Sequence, residues 1–463
     1  MTELHWLTIS EAADQVRRRD LSPIDLVDAC LDRIGVADRH VNAFISVLAA
    51  EARAAAREAA AEISAGQYRG PLHGIPVAVK DLFDVAGART TAGSKILAGN
   101  VATLDSGAVE RLRAAGAIIL GKLNLHEFAY GATGIDSHFG PARNPWDTGH
   151  VTGGSSAGSG ASVASGECFA ALGTDTGGSI RIPASLCGLV GLKPTFGRVT
   201  RRGLLPLSWS LDHAGPMART VGDAALVLQA IAGRDDGDDW SSSEPVPDYV
   251  ASLLGGGVKG LRIGVPDSYF FYALDPEVEA GVRGAITTLE SLGATIETVS
   301  LPYVADLSAG VTCIMLPEAL AVHHKWLQER ADDYSESVRY RLELGSTVTA
   351  VSYVQAQRFR EMVTRAWRDE VFSRYDIIAT PTTPIAAPRT DGSDLSVTMN
   401  LIRFTNPINL LGTPSISVPC GFTAAGLPFG LQLTGRWWDE ATVLRAAHAY
   451  EQATDWHQRR PTL

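Results

Sequence analysis

Apolar positions at the start of the chain recur three and four residues apart, broken by short polar turns, which is the spacing of helices with one buried face. Ser10 can cap a helix carrying Ala12, Val16 and Arg17, and Ser22-Pro23 opens a second through Leu26, Val27, Cys30 and Ile34. An alanine-rich pattern predicts a third helix from about Val47 to Ile63. Residues 1–66 therefore read as a helical wrapping around the rest of the chain. From Gly70 the pattern changes to brief apolar runs between glycines. Ile75 to Val79 and Ala117 to Leu120 read as strands, with a helix near Ser106 to Ala115 between them. Strands alternating with helices predict an α/β protein whose sheet is mainly parallel or mixed and covered on both faces.

A second break falls at Arg234 to Trp240 and continues through Ser241 to Pro247, a polar and acidic stretch without periodicity that reads as an exposed loop. Beyond it, Leu261 to Val265 and Ala294 to Val299 read as strands flanking a helix. Helical patterns then fill Met315 to Arg368, and strands return at Ile377–Ala379, Ile416–Val418 and Phe429–Leu433. No internal repeat interrupts this order.

Composition narrows the function classes. The 463 residues are 45% hydrophobic and 20% charged, an ordinary globular balance. The formal charge of −11 opposes a nucleic-acid surface, which needs clustered cations, and runs such as Arg17-Arg18-Arg19 read as solvated helix faces. Five cysteines, Cys30, Cys168, Cys187, Cys313 and Cys420, lie without C-x-x-C pairs, so neither a disulfide framework nor a zinc site is expected. The opening Met1 to His5 lacks a leader pattern, and no run of about 18 apolar residues suggests a membrane span, so a cytoplasmic protein is expected.

Three segments carry candidate chemistry: Gly74 to Asp81, Gly153 to Gly158 and Gly173 to Arg181. In the third, the amides of Thr176, Gly177, Gly178 and Ser179 can converge into a donor nest for a tetrahedral oxyanion, with Ser179 at its rim. A serine hydroxyl is a weak nucleophile without a base, and no histidine lies in these segments; His73 precedes the strand that leads to Lys80. Lysine remains. With an ordinary pKa of about 10.4, only about one amine in 2,500 is neutral at pH 7, so burial must lower it. Lys80 ends an apolar strand that should lie in the core. Asp81 beside it should point the other way, as strand alternation allows.

These segments, in this order and spacing, resemble the amidase signature hydrolases, closest to the stand-alone bacterial amidases; the similarity is strongest from Leu72 to Val221 and weaker over most of the rest. The resemblance implies a single large α/β/α domain over residues 1–463, with a mixed central sheet, a signature core at about 70–222 and a C-terminal part at about 258–463 with inserted helices. It implies a Ser-cisSer-Lys triad: Ser179 the acyl-forming nucleophile, Lys80 the base and Ser155, after a cis peptide, the relay between them. Thr176, Gly177, Gly178 and Ser179 would form the oxyanion hole. No cofactor and no metal are implied.

Each motif has a plainer reading. A lone lysine after a strand is usually a surface charge, and only the two glycine–serine segments reverse this for Lys80. Asp175 and Arg181 read as a structural pair bracing the glycine turn. Gly154 to Gly158 also fits G-x-S-x-G, which would make Ser156 the nucleophile of another hydrolase fold, but that needs a strand just before it, and Asn144 to His150 look loop-like. A phosphate loop fails for want of Gly-Lys-Ser/Thr. Tyr130, Gly131 and Gly154 are candidates to border the substrate. Trp209, Met315, Leu316, Trp326, Ile402 and Phe404 could line an apolar pocket, although such spacing is more often core.

No charged group obviously faces that pocket, so the expected substrate is a small, largely apolar amide, anilide or carbamate; relatives cleave aryl acylamides, fatty amides, nylon oligomers and urethanes. The alternative is the glutaminase subunit of a glutamyl-tRNA amidotransferase, which Leu72 to Val221 also resembles and which would need partner chains; Asp333 to Arg368 departs from that subunit's pattern. The expected partners are the small amide or carbamate and, as a homodimer, a second copy of the chain, with no nucleic acid and no membrane.

Overall fold

A computed structural model describes residues 3–393 and 395–463; Met1 and Thr2 of the opening stretch lie outside them. The first helix, Ile9–Arg18, begins two residues earlier than Ser10 suggests. Thr8 caps it, taking the Glu11 amide on its hydroxyl at 3.1 Å while the Glu11 carboxylate accepts the Thr8 amide at 2.8 Å. This reciprocal box satisfies two orphan donors at once, so it outcompetes a lone serine inside the first turn. Ser22 does cap the second helix, Pro23–Val41. The third runs Ala49–Ser64, because Val47 belongs to a short strand that the sequence pattern does not predict.

The strands in chain order are β1 (Phe44–Val47), β2 (Pro76–Lys80), β3 (Ile118–Leu123), β4 (Ala170–Asp175), β5 (Val190–Lys193), β6 (His213–Ala218), β7 (Arg262–Pro266), β8 (Thr295–Val299), β9 (Ile377–Pro381), β10 (Ser415–Phe422) and β11 (Pro428–Gly435). They form one eleven-stranded sheet in the order β1-β3-β2-β4-β6-β5-β10-β11-β9-β7-β8. β3, β2 and β4 are mutually parallel, as are β9, β7 and β8, while the middle of the sheet is antiparallel, so the sheet is mixed.

Helices cover both faces, as alternation along β11 demonstrates. Phe429, Leu431 and Leu433 point into the core shared with Val443, Leu444 and Ala447 of the helix Glu440–Gln452. Between them, Gly430 and Gln432 face the other way and bond Ser185 and Arg181 of the helix Arg181–Cys187. A one-residue slip would exchange these faces and bury the wrong set.

One helical run, Val304–Asp333, is long and apolar enough to cross a membrane by length and composition, which the sequence pattern does not anticipate. Its apolar face is used inside the protein: Leu307, Val311 and Ile314 share a core with Trp367, Phe404 and Leu410. Its Glu318 is buried and accepts the hydroxyls of Ser208, Ser210 and Tyr353 at 2.6, 2.7 and 2.9 Å.

The ends of parallel β2 and β4 define where chemistry can occur. Their register pairs Val79 with Leu172, so Lys80 falls one residue from Thr174 at the carboxyl edge, where open α/β sheets leave a crevice.

Candidate active site

Lys80 is wholly buried and, among the described residues, its amine hydrogen-bonds only to hydroxyls: it donates to Ser155 Oγ at 2.7 Å, Thr174 Oγ1 at 2.7 Å and Ser156 Oγ at 3.1 Å. Asp81 does point away. Its carboxylate pairs with Lys122 at 2.7 Å and accepts the Thr91 amide at 2.9 Å, so it does not hold Lys80 charged. Burial pushes the Lys80 amine down to about 7, against the opposing charges of Asp212 and Asp175. An amine with that pKa is about half neutral at pH 7.

Ser156 and Thr174 therefore help hold the amine. Ser156 also donates to the Thr174 carbonyl at 3.2 Å and accepts the Thr174 amide at 3.2 Å, which occupies its hydroxyl fully. No strand precedes it, so the G-x-S-x-G reading is without its structural requirement. Ser155 sits just before the helix Ala157–Ala164, and the Gly154–Ser155 peptide is cis.

Ser179 lies in the turn between β4 and the helix Arg181–Cys187; it is 8% exposed and lines a cavity of about 150 Å³. Its carbonyl accepts the Ser156 amide at 3.3 Å, which ties the two serine segments together. Among the described residues its hydroxyl makes no hydrogen bond, to Ser155 or to anything else.

The glycine turn is held from outside by Asp175. That carboxylate accepts the Gly178 and Ile180 amides at 2.8 and 3.1 Å and the Arg181 guanidinium at 2.9 and 3.0 Å. Burial alone would raise its pKa, but Arg181 beside it holds the carboxyl well below the usual range. Arg181 reaches on to Gln432 and Asn409 at 2.8 and 2.7 Å, so the pair braces the turn. Gly178 has φ +131°, and a Cβ there would sit 2.0 Å from Thr405 Oγ1, whose hydroxyl donates to the Gly177 carbonyl at 2.6 Å.

This corrects one expectation: the Gly178 amide is committed to Asp175. The amides of Thr176, Gly177 and Ser179 donate to no acceptor among the described residues, and all three residues line the cavity. Arg181→Met would leave Asp175 buried and unpaired. The expected loss is about 3–5 kcal/mol, read as a lower urea midpoint for unfolding.

Residues 25–444 match the Amidase family. The chain belongs to the amidase signature family. It is a hydrolase acting on carbon–nitrogen bonds. It is 48% identical over 472 residues to an amidase of Pseudomonas putida, covering 100% of this chain and 99% of that one. It is also 44% identical over 488 residues to a glutamyl-tRNA(Gln) amidotransferase subunit of Chloroflexus aggregans (strain MD-66 / DSM 9485), covering 100% and 99%. A structure solved for a vestigial protein complex bearing on the origins of an s-triazine catabolic enzyme superposes with TM-score 0.93 at 37% identity, covering 99% of this chain and 100% of that one.

The cavity of this amidase is bordered by Tyr130 and Gly131 and walled by Leu207, Met315, Leu316 and Ile402. Gly154 does not line it; it packs behind Gly131, where a Cβ would lie 2.9 Å from the Gly131 carbonyl. Three aromatic candidates also belong elsewhere. Trp209 borders a separate surface cleft, Trp326 stacks on Phe128 and Phe404 is core. Helical spacing does not distinguish a core wall from a pocket wall.

A charged group does face the cavity, contrary to the expectation from sequence: Arg341, from the helix Glu336–Glu343, lies 5.6 Å over the Tyr130 ring. It donates to the Tyr130 carbonyl and to Ser337 O and Oγ, the latter two at 3.2 Å, and forms no ion pair among the described residues. Asp212, which accepts the Thr176 hydroxyl at 2.6 Å, was likewise missed. Both sit in stretches whose local pattern reads only as surface or loop polarity.

Proposed function

We propose that this amidase cleaves a small amide through an acyl-enzyme on Ser179, with Lys80 as base and Ser155 as proton relay. The observation that supports this best is a buried amine bonded only to hydroxyls. Ser156 spends its proton on the Thr174 carbonyl and so accepts from the amine, whereas the Ser155 hydroxyl has no partner but Lys80 among the described residues. When the amine is neutral, the Ser155 hydroxyl can donate into its lone pair.

Ser179 Oγ then attacks the amide carbon and its proton passes to Ser155, whose own proton passes to Lys80. The tetrahedral oxyanion accepts the amides of Thr176, Gly177 and Ser179. The proton returns along the same path to the leaving amine, the C–N bond breaks, and water hydrolyses the Ser179 ester. The Ser179–Ser155 hydrogen bond has to form as substrate enters, as catalytic contacts often tighten only in the Michaelis complex.

The apolar walls suit the acyl part of a small amide, anilide or carbamate, as expected from sequence. Arg341 adds a requirement. Of its five N–H donors, three are used internally, which leaves two for a substrate acceptor, and a carboxylate is the best match. The glutaminase-subunit reading draws on the same arginine, since glutamine carries a carboxylate, and on the 44% identity to an amidotransferase component.

Assaying the purified chain against primary amides, p-nitroanilides and aryl carbamates, each with and without a carboxylate, together with glutamine, separates the two. Turnover without partner chains is expected; glutamine turnover that appears only with added partner subunits would favour the alternative. Arg341→Met is expected to raise KM for the carboxylate-bearing substrate about 10–100-fold, the scale of a hydrogen bond to a charged group, with kcat and the neutral substrates little changed. Equal losses on both substrate sets would remove the carboxylate from the proposal.

A further inference from the structure

Asp212 stands immediately before β6 and is 4% exposed. Oδ1 accepts the Thr176 hydroxyl at 2.6 Å; Oδ2 accepts the amides of Leu207 and Ser208 at 2.9 and 3.1 Å. Unlike Asp175, which has Arg181, it forms no ion pair among the described residues. A buried carboxylate without a paired cation is unfavourable, so these hydrogen-bond donors hold it there. Its contacts are informative, because Thr176 begins the glycine turn and Leu207 is a wall of the same cavity.

Its charge is informative too. Asp212 and Asp175 are the acids that act on the Lys80 amine, and Asp175 is compensated by Arg181. We propose that Asp212 is a positioning residue of this active site: its carboxylate fixes Thr176 and Leu207 around the cavity, and its negative charge sets how readily Lys80 gives up a proton. The inference rests on the reading of Lys80 as the base.

The other groups facing Lys80 leave room for this role. His126, beyond β3, is buried and held below its usual range by that burial, so it is neutral when Lys80 titrates. Asp81 is paired with Lys122. Arg201 acts on Asp212 from further away and is itself paired with Asp238. Burial raises Asp212 to about 6 against the Thr176 hydrogen bond, so at pH 7, where the amine is about half neutral, the carboxylate is mostly ionised. An anion favours the ammonium form; removing it lets Lys80 lose its proton at lower pH.

The test is the pH profile of kcat/KM for Asp212→Asn, with Lys80→Met run beside it. The asparagine oxygen can serve either Thr176 or the two backbone amides, but not both at once. The acidic limb is expected to move about 1 unit or more toward low pH, and the plateau to fall. Thr176→Val should lower the plateau without moving the limb toward acid, and Asp212→Glu should return the limb close to the parent's. A folded Asp212→Asn protein with parental limb and plateau overturns the inference, as does a plateau loss with an unmoved limb. Should Asp212→Asn fail to fold, a parental plateau in Thr176→Val overturns it. A fully active Lys80→Met protein instead removes the base reading itself, whatever Asp212 does.

Discussion

Ser179→Ala is expected to lower turnover by about 10⁶-fold, the scale on which loss of a serine nucleophile is felt when an oxyanion site remains. Replacing the hydroxyl leaves the amides of Thr176, Gly177 and Ser179, the Asp175–Arg181 brace and the cavity walls as they are. Among the described residues Ser179 makes no side-chain hydrogen bond whose loss would disturb the turn, so folding and substrate binding should persist while acylation stops. Intact-mass measurement after rapid quench should find an acyl adduct on the parent protein and none on the variant. An adduct that survives the substitution would put the nucleophile elsewhere.

Lys80→Ala should reduce kcat/KM by about 10²–10⁴-fold, as for loss of a general base, and should also erase the acidic limb of the pH profile. For the parent the sign is fixed by which form works: the neutral amine is the base, so the rate rises with pH through about 7 and levels off above it. A depressed pKa is what the surroundings provide, since burial disfavours the ammonium and the contacts are hydroxyls rather than carboxylates. The smaller effect relative to Ser179 arises because the nucleophile itself survives and only its proton acceptor is lost. Undiminished rate at neutral pH would end the lysine mechanism.

How far the sequence reaches can be judged residue by residue. Ser22-Pro23, the strand ending in Lys80 and the glycine turn before Arg181 are legible because backbone propensity and burial act within a few residues there. The mixed sheet and the helices on both faces come from the alternation of patterns. What escapes depends on partners distant in the chain. β1 is only four residues long and exists because it pairs with β3. The Gly178 amide turns toward Asp175 because Arg181, Gln432 and Asn409 hold that carboxylate in place, and two of those lie more than two hundred positions away. Arg341 reaches the cavity only once its helix docks on Tyr130, and Trp209, Trp326 and Phe404 fall outside it for the same long-range reason.

The most direct measurement is an NMR titration of the Lys80 side chain, following its ε-methylene or amine signal in protein carrying labelled lysine and assigned with the Lys80→Ala variant. A midpoint near about 7, far below that of surface lysines, is the expected result. A Lys80 that stays protonated up to about pH 10 would contradict the claim that a buried, uncharged amine starts the reaction.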